Sequence, residues 1–146
     1  MKRSFWLKLC ENILLFLSGG LTYGLLEILW RRRTHISMVI TGGICFLSLF
    51  HIFRKFRNLK LLQKCVIGSA LITTFELICG LIVNLALKLN VWDYSHLRFN
   101  FLGQISLLYS FLWGLLTIPI SFICSKITSL NLRLSSKQKQ RGYDCF

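Results

Sequence analysis

Two glutamates stand inside long apolar stretches of this 146-residue chain, Glu27 in "GLTYGLLEILW" and Glu76 in "SALITTFELICG". A carboxylate deep in hydrocarbon costs about 2.5–3.5 kcal/mol even on the lenient insertion scale, so it must face protein, hold a proton or find a partner. Such a group serves as a proton, cation or substrate site, or as one half of a structural ion pair or hydrogen-bond network. The polar residues able to serve Glu76 gather toward one end of the apolar stretches: Arg31, His35, Lys88, Asn84, Asn100 and Gln104. Glu27 has a nearer neighbour in Arg31, four residues on, the spacing at which helical side chains meet. The segment "NVWDYSHLRFNFLGQ" (residues 90–104) is dense in polar groups for a connector. In it Trp92 and Tyr94 read as interfacial anchors, and Asp93 and Ser95 suit a capped turn. The lone His35 reads as a cap or interface residue. The candidate polar or substrate site is therefore Glu27, Arg31, His35, Glu76, Asn84, Asp93, Tyr94, Asn100 and Gln104. No Ser–His–Asp order, phosphate-binding loop, HExxH or Cys/His metal spacing occurs, so no metal and no cofactor is expected.

The elements that must position these residues are legible from length and composition. Hydrophobic residues make up 54% of the chain and charged ones 16%, against roughly a quarter charged in a soluble domain. Four mostly apolar runs reach bilayer-spanning length, about residues 12–30, 36–53, 62–87 and 101–124. The expectation is an all-α integral membrane protein, a four-transmembrane-helix bundle over residues 1–125 with a basic cytoplasmic tail over 126–146. Pro119 is the one proline, where a kink is tolerable in lipid. Alternating ten-residue segments of a β-barrel are absent. Lys2, Arg3 and Lys8 resemble the start of a signal peptide, but the apolar run continues to Trp30 without a cleavage pattern, so a retained first helix is expected.

The net charge of +13 flanks apolar runs, which points to anionic lipid headgroups at the cytoplasmic face and not to nucleic acid. Thirteen lysines and arginines fall on one side: Lys2, Arg3 and Lys8, then Arg54, Lys55, Arg57, Lys60 and Lys64, then Lys126, Arg133, Lys137, Lys139 and Arg141. The opposite side holds five, Arg31, Arg32, Arg33, Lys88 and Arg98. Both termini are accordingly expected in the cytoplasm, with the "RRR" run facing out. None of the six cysteines falls in an outer loop, and free thiols acting as small apolar residues are expected.

Small and polar residues recur at helical spacing: Gly20, Tyr23, Gly24 and Glu27 in the first run, Ser69, Thr73, Glu76, Gly80 and Asn84 in the third, Asn100, Gly103, Ser110, Gly114, Thr117 and Ser121 in the fourth. Such faces let helices approach closely. "GLTYGLLE" and "SALITTFE" each end in a glutamate at the same relative place, the trace that two similar helical hairpins in one orientation would leave.

The stretches "YGLLEILWRRRTHISMVITGG", "TTFELICGLIVN" and "VWDYSHLRFNFLGQI" resemble a family of small bacterial membrane proteins described as type IV ABC-transporter permeases of CmpB type. The likeness runs over about Gly19–Trp113. Its first-loop pattern, E-x-x-x-R-G-x-T-H-W-S-M, is met by Glu27, Arg31, Thr34, His35, Ser37 and Met38. Arg32 stands at the pattern's glycine, Arg33 at a usually aromatic position, Ile36 at its tryptophan and Arg98 at a usual proline. The resemblance implies transport, a separate ATPase subunit (this chain carries no nucleotide-binding motif) and, with four helices, a homo-oligomer. It also singles out Arg31 from the run of three.

The leading expectation is thus a transport-related component of a bacterial plasma membrane with a polar site opening outward, its substrate unnamed. A second is a membrane assembly or regulatory protein whose buried polar residues hold the bundle together. A lipid-acting enzyme would use Glu27, Glu76, His35 and Asp93 as acid–base groups, but no nucleophile-plus-base pattern is present and no enzyme is expected.

Overall fold

In lipid every backbone polar group must be satisfied internally, which leaves helices as the outcome for these apolar runs. The computed structural model describes residues 5–143 and has four helices long and apolar enough to cross a membrane. Lys2, Arg3, Cys145 and Phe146 lie outside the described residues. Helix α1 spans Phe5–Arg31, α2 Ile36–Lys55, α3 Leu61–Gly80 and α4 Leu107–Tyr143. Beyond Gly80 the chain of α3 continues through Leu81–Ala86 in wider π-type turns, with Leu87 N–H bonded back to Ile82 O at 2.9 Å. Leu14, Leu21, Leu25 and Leu29 of α1 are exposed, as on a helix whose outer face meets lipid.

The fold departs from the sequence reading at both ends of the fourth run. Its helix begins at Leu107, not Phe101, because residues 100–106 reverse in a small hairpin of β1 (Asn100–Phe101) and β2 (Ile105–Ser106). Leu102 and Gly103 take φ of 53° and 67° at the turn, and Gln104 N–H donates to Phe101 O at 3.0 Å. At the other end, residues 126–143 continue α4 without a break.

The helices form two hairpins, α1 along α2 and α3 along α4, with α2 also touching α3 and α4. The small-residue faces make these seams close. A Cβ on Gly20 would stand 2.5 Å from Val39 O, and one on Gly43 2.7 Å from Phe16 O. Between α3 and α4, Thr73 Oγ1 donates to Ser110 Oγ at 3.0 Å, and Gly68 lies against Thr117. One apolar core gathers Leu49, Phe50, Phe53, Ile72 and Cys124. A second packs Met38, Trp92 and Tyr94 under the α3–α4 connection. Cys10, Cys45, Cys65, Cys79 and Cys124 are free thiols.

Helices α1 and α4 meet through side chains at two levels. Asn131 Nδ2 donates to Glu11 Oε1 at 2.6 Å near the termini, and the Tyr23 and Trp113 rings lie 5.9 Å apart toward the loops. Around and between these points runs a cleft.

Candidate functional site

At the loop end of α1, Glu27 is only 6% exposed. Arg31 Nη1 donates to its Oε1 at 3.1 Å and Thr34 Oγ1 to its Oε2 at 2.6 Å. Arg31 Nη2 also donates to Val91 O at 3.1 Å, tying α1 to the far connection. Glu27, Arg31 and Thr34 of the resembled pattern thus form one cluster, while Met38 is buried under Trp92 and Tyr94. Arg32 and Arg33 are exposed. Arg32, standing at the pattern's glycine, takes the left-handed conformation with φ 57°. The reversal after α1 demands that conformation, and glycine adopts it without a Cβ penalty.

Glu76 is 3% exposed, and its partners are not those the sequence nominated. None of Arg31, His35, Lys88, Asn84, Asn100 or Gln104 bonds its carboxylate. The Tyr94 hydroxyl donates to Oε1 at 2.9 Å and Trp113 Nε1 to Oε2 at 2.8 Å. Two neutral donors, from the connection and from α4, therefore hold a carboxylate on α3. Burial, and then the facing Glu76, push the Tyr94 hydroxyl above its ordinary range, so it remains a donor. Trp92 and Tyr94 are buried, at 2% and 6% exposure, and are not interfacial anchors. The chain folds back over the bundle and inserts both rings.

The amides build the support for that insertion. Asn84, in the π-type turns, donates to Trp92 O at 3.0 Å and to Gln104 Oε1 at 2.8 Å, and accepts from Val91 N–H at 2.7 Å. Trp92 Nε1 donates to Gln104 O at 3.0 Å. Asn100 Nδ2 donates to Leu97 O at 2.7 Å and its Oδ1 accepts from Gly103 N–H at 3.1 Å. Asp93 is exposed and accepts from Ser95 N–H and Oγ at 2.8 and 2.9 Å, bonds that lower its pKa from the usual carboxylate value. His35 caps α2, accepting from Ser37 N–H at 3.3 Å. Of the nine candidates, then, Glu27, Arg31, Glu76 and Tyr94 line the cleft, Asn84, Asn100 and Gln104 shape the connection, His35 caps α2 and Asp93 closes a turn with Ser95.

The cleft holds two adjoining hollows of about 340 and 240 Å³. Tyr23, Leu26, Trp113 and Leu116 border both. Glu76 lines the larger, and Glu27 and Arg31 the smaller. The sequence reading put Tyr23 on the face of Glu27 but not in the site, and missed Trp30, Tyr109 and Trp113. Their one advance signal was the crowding of aromatics at the same ends of the first and fourth runs as the polar residues.

No curated protein and no solved structure matches the chain. The model of the family described as "Putative ABC-transporter type IV" matches residues 35–142, from the cap of α2 almost to the end of α4 and leaving Glu27 and Arg31 outside, and the chain belongs to that family.

Proposed function

We propose that the chain is a membrane-embedded component of an ATP-driven transporter in a bacterial plasma membrane, with the α1–α4 cleft as its outward-opening polar site. It acts as a homo-oligomer beside a separate ATPase subunit, and is not itself an enzyme. Family membership supports the transport reading, and the lysine and arginine distribution supports cytoplasmic termini. The observation that carries the site is Glu76. A carboxylate well inside a membrane helix borders a cavity and is met by two neutral donors instead of a cation. Buried charges are ordinarily paired with an opposite charge, as Glu27 is with Arg31, whereas Glu76 meets two neutral donors.

The test is capture of the tagged full chain from native membranes in mild detergent, followed by assay of ATP hydrolysis in the captured material. ATPase activity with a multiple of the protomer mass is expected. In the Glu76→Gln variant, which keeps the shape and one of the two acceptor oxygens but removes the charge, capture should persist while coupled activity changes. A single-protomer species with no ATPase activity would overturn the proposal. One observation favours the second reading, an assembly or regulatory protein. Among the described residues every buried side-chain nitrogen and oxygen already has a partner, as a purely structural network would require. Under that reading Glu76→Gln leaves ATPase coupling at the parental level.

A further inference from the structure

The smaller hollow is walled by aromatic rings. Tyr23, Trp30, Tyr94, Tyr109 and Trp113 line it, drawn from α1, the α3–α4 connection and α4. Tyr94 and Tyr109 stack at 4.3 Å between centroids, Tyr109 and Trp113 lie 6.0 Å apart, and Trp113 and Tyr23 5.9 Å. Five aromatic side chains border one space. Such a cup attracts a cation and is the recurrent receptor for alkylated ammonium groups.

Charge points the same way. Two carboxyls, Glu27 and Glu76, border the cleft against one guanidinium, Arg31. That guanidinium is already engaged by Glu27 Oε1 and Val91 O, whereas among the described residues no cation bonds Glu76, which meets Tyr94 and Trp113. An incoming anion would face the aromatic cup and both carboxyls, with only a committed arginine in its favour.

The larger hollow adjoins the cup and differs in character. From Trp113 it follows α4 past Leu116, Ile120 and Ile123 to Ile127, about 21 Å at 1.5 Å per residue. Its opposite wall comes from Gly19 and Leu26 of α1 and Phe46 and Leu49 of α2. A cation-attracting cup at the head of an apolar channel, between two helices that meet through side chains at two levels, fits one kind of ligand.

We propose that the α1–α4 cleft binds an ammonium-headed amphiphile, with the head in the aromatic cup beside Glu27 and Glu76 and the chain along the apolar channel of α4. This deepens the transport reading and rests on it. The cup selects the head by cation–π attraction and charge, and the channel adds apolar burial.

The test uses the purified full chain in dodecyl maltoside micelles, without any partner subunit, titrated with dodecyltrimethylammonium and followed by tryptophan fluorescence and thermal stability. Trp30 and Trp113 sit in the cup as reporters. A saturable response is expected at a midpoint at least about tenfold below those of dodecyl sulfate, dodecanol and tetramethylammonium. Tyr109→Leu should raise the midpoint by about two- to thirtyfold, the span of an aromatic–cation contact of roughly 0.5–2 kcal/mol. Trp30→Leu, at a residue 75% exposed whose loss leaves the packing intact, should raise it as well and covers the case in which Tyr109→Leu fails to fold. Equal midpoints for the sulfate or the alcohol would overturn recognition of the ammonium head. A tetramethylammonium midpoint matching the amphiphile's would show a free small cation and overturn the role of the chain. Unchanged midpoints in the folded variants would overturn the cup. A failed titration with ATPase capture intact overturns the ligand class alone, whereas a successful titration without capture overturns the transport reading alone.

Discussion

Replacement of Arg31 by alanine isolates the ion pair at the loop end of α1. The Glu27 side chain is 5% exposed and that of Arg31 20%. Without the guanidinium, Glu27 Oε1 loses its donor at 3.1 Å, Val91 O loses the bond from Nη2, and Thr34 alone serves the carboxylate. Breaking a fully buried pair costs about 3–5 kcal/mol, and a hydrogen bond to a charged group contributes about 1.5–3 kcal/mol. Water can reach part of the arginine's place, so the lower range applies, and a loss of about 2–3 kcal/mol is expected. That is roughly a 30- to 150-fold shift in the unfolding equilibrium. Arg33→Ala removes an exposed charge and should cost less than about 0.5 kcal/mol. In a Glu27→Gln background the carboxylate charge is gone but the guanidinium still donates to Val91 O, so the cost of Arg31→Ala should fall to about 1.5 kcal/mol, the low end for a hydrogen bond to a charged group. Reversible unfolding by dodecyl sulfate in mixed micelles, followed by circular dichroism, measures the parent, the three single variants and the double variant. Equal losses at Arg31 and Arg33, or the full loss persisting beside Glu27→Gln, would refute the pairing argument.

Three further outcomes are expected. Arg32→Gly should stabilise the chain by about 0.5–1 kcal/mol in the same assay, the left-handed backbone costing a side chain about 1–2 kcal/mol and glycine returning about half of that in entropy; a loss of stability would contradict it. Asp93 has its pKa lowered on folding by its bonds to Ser95, so its contribution is present above the unfolded value of about 3.9. That contribution disappears as pH falls through the lower folded value, and the thermal-stability gap between the parent and Asp93→Ala should close there; a gap that persists or widens in acid would refute this. A reporter active only in the cytoplasm, fused after Phe146, should give signal because lysines and arginines favour that side, and activity from an exported reporter there would reverse the map.

The four helices could be read from the sequence because bilayer thickness imposes a length that composition reveals directly. The Glu27–Arg31 pair was equally legible, since one helix fixes the geometry of residues four apart. The connection was not. Phe101 and Leu102 are as apolar as a helix start, and hydropathy cannot register the positive φ values at Phe99, Leu102 and Gly103 that turn them into a hairpin. Trp92 and Tyr94 have the composition of headgroup anchors, and their burial depends on Asn84 and Gln104 holding the backbone above them. For Glu76 the failure was one of chemistry. Charge complementarity suggested a cation, while the fold supplied an indole and a phenol from 37 and 18 residues downstream.

That downstream supply sets an order of assembly. Synthesis proceeds from the N-terminus, so α3 is made before Tyr94 and Trp113 exist to meet its carboxylate. During that interval Glu76 costs about 2.5–3.5 kcal/mol in hydrocarbon, offset by Val66, Ile67, Leu71, Ile72, Phe75, Leu77, Ile78, Leu81 and Ile82, which favour insertion by about 0.3–0.6 kcal/mol each toward the helix centre. The third helix can therefore enter the bilayer on its apolar residues and wait. The aromatic donors arrive with the folded-back connection and the fourth helix, so insertion of α4 is the step that completes the pocket. A nascent chain halted before Trp113 would hold three helices in the membrane around a half-served carboxylate.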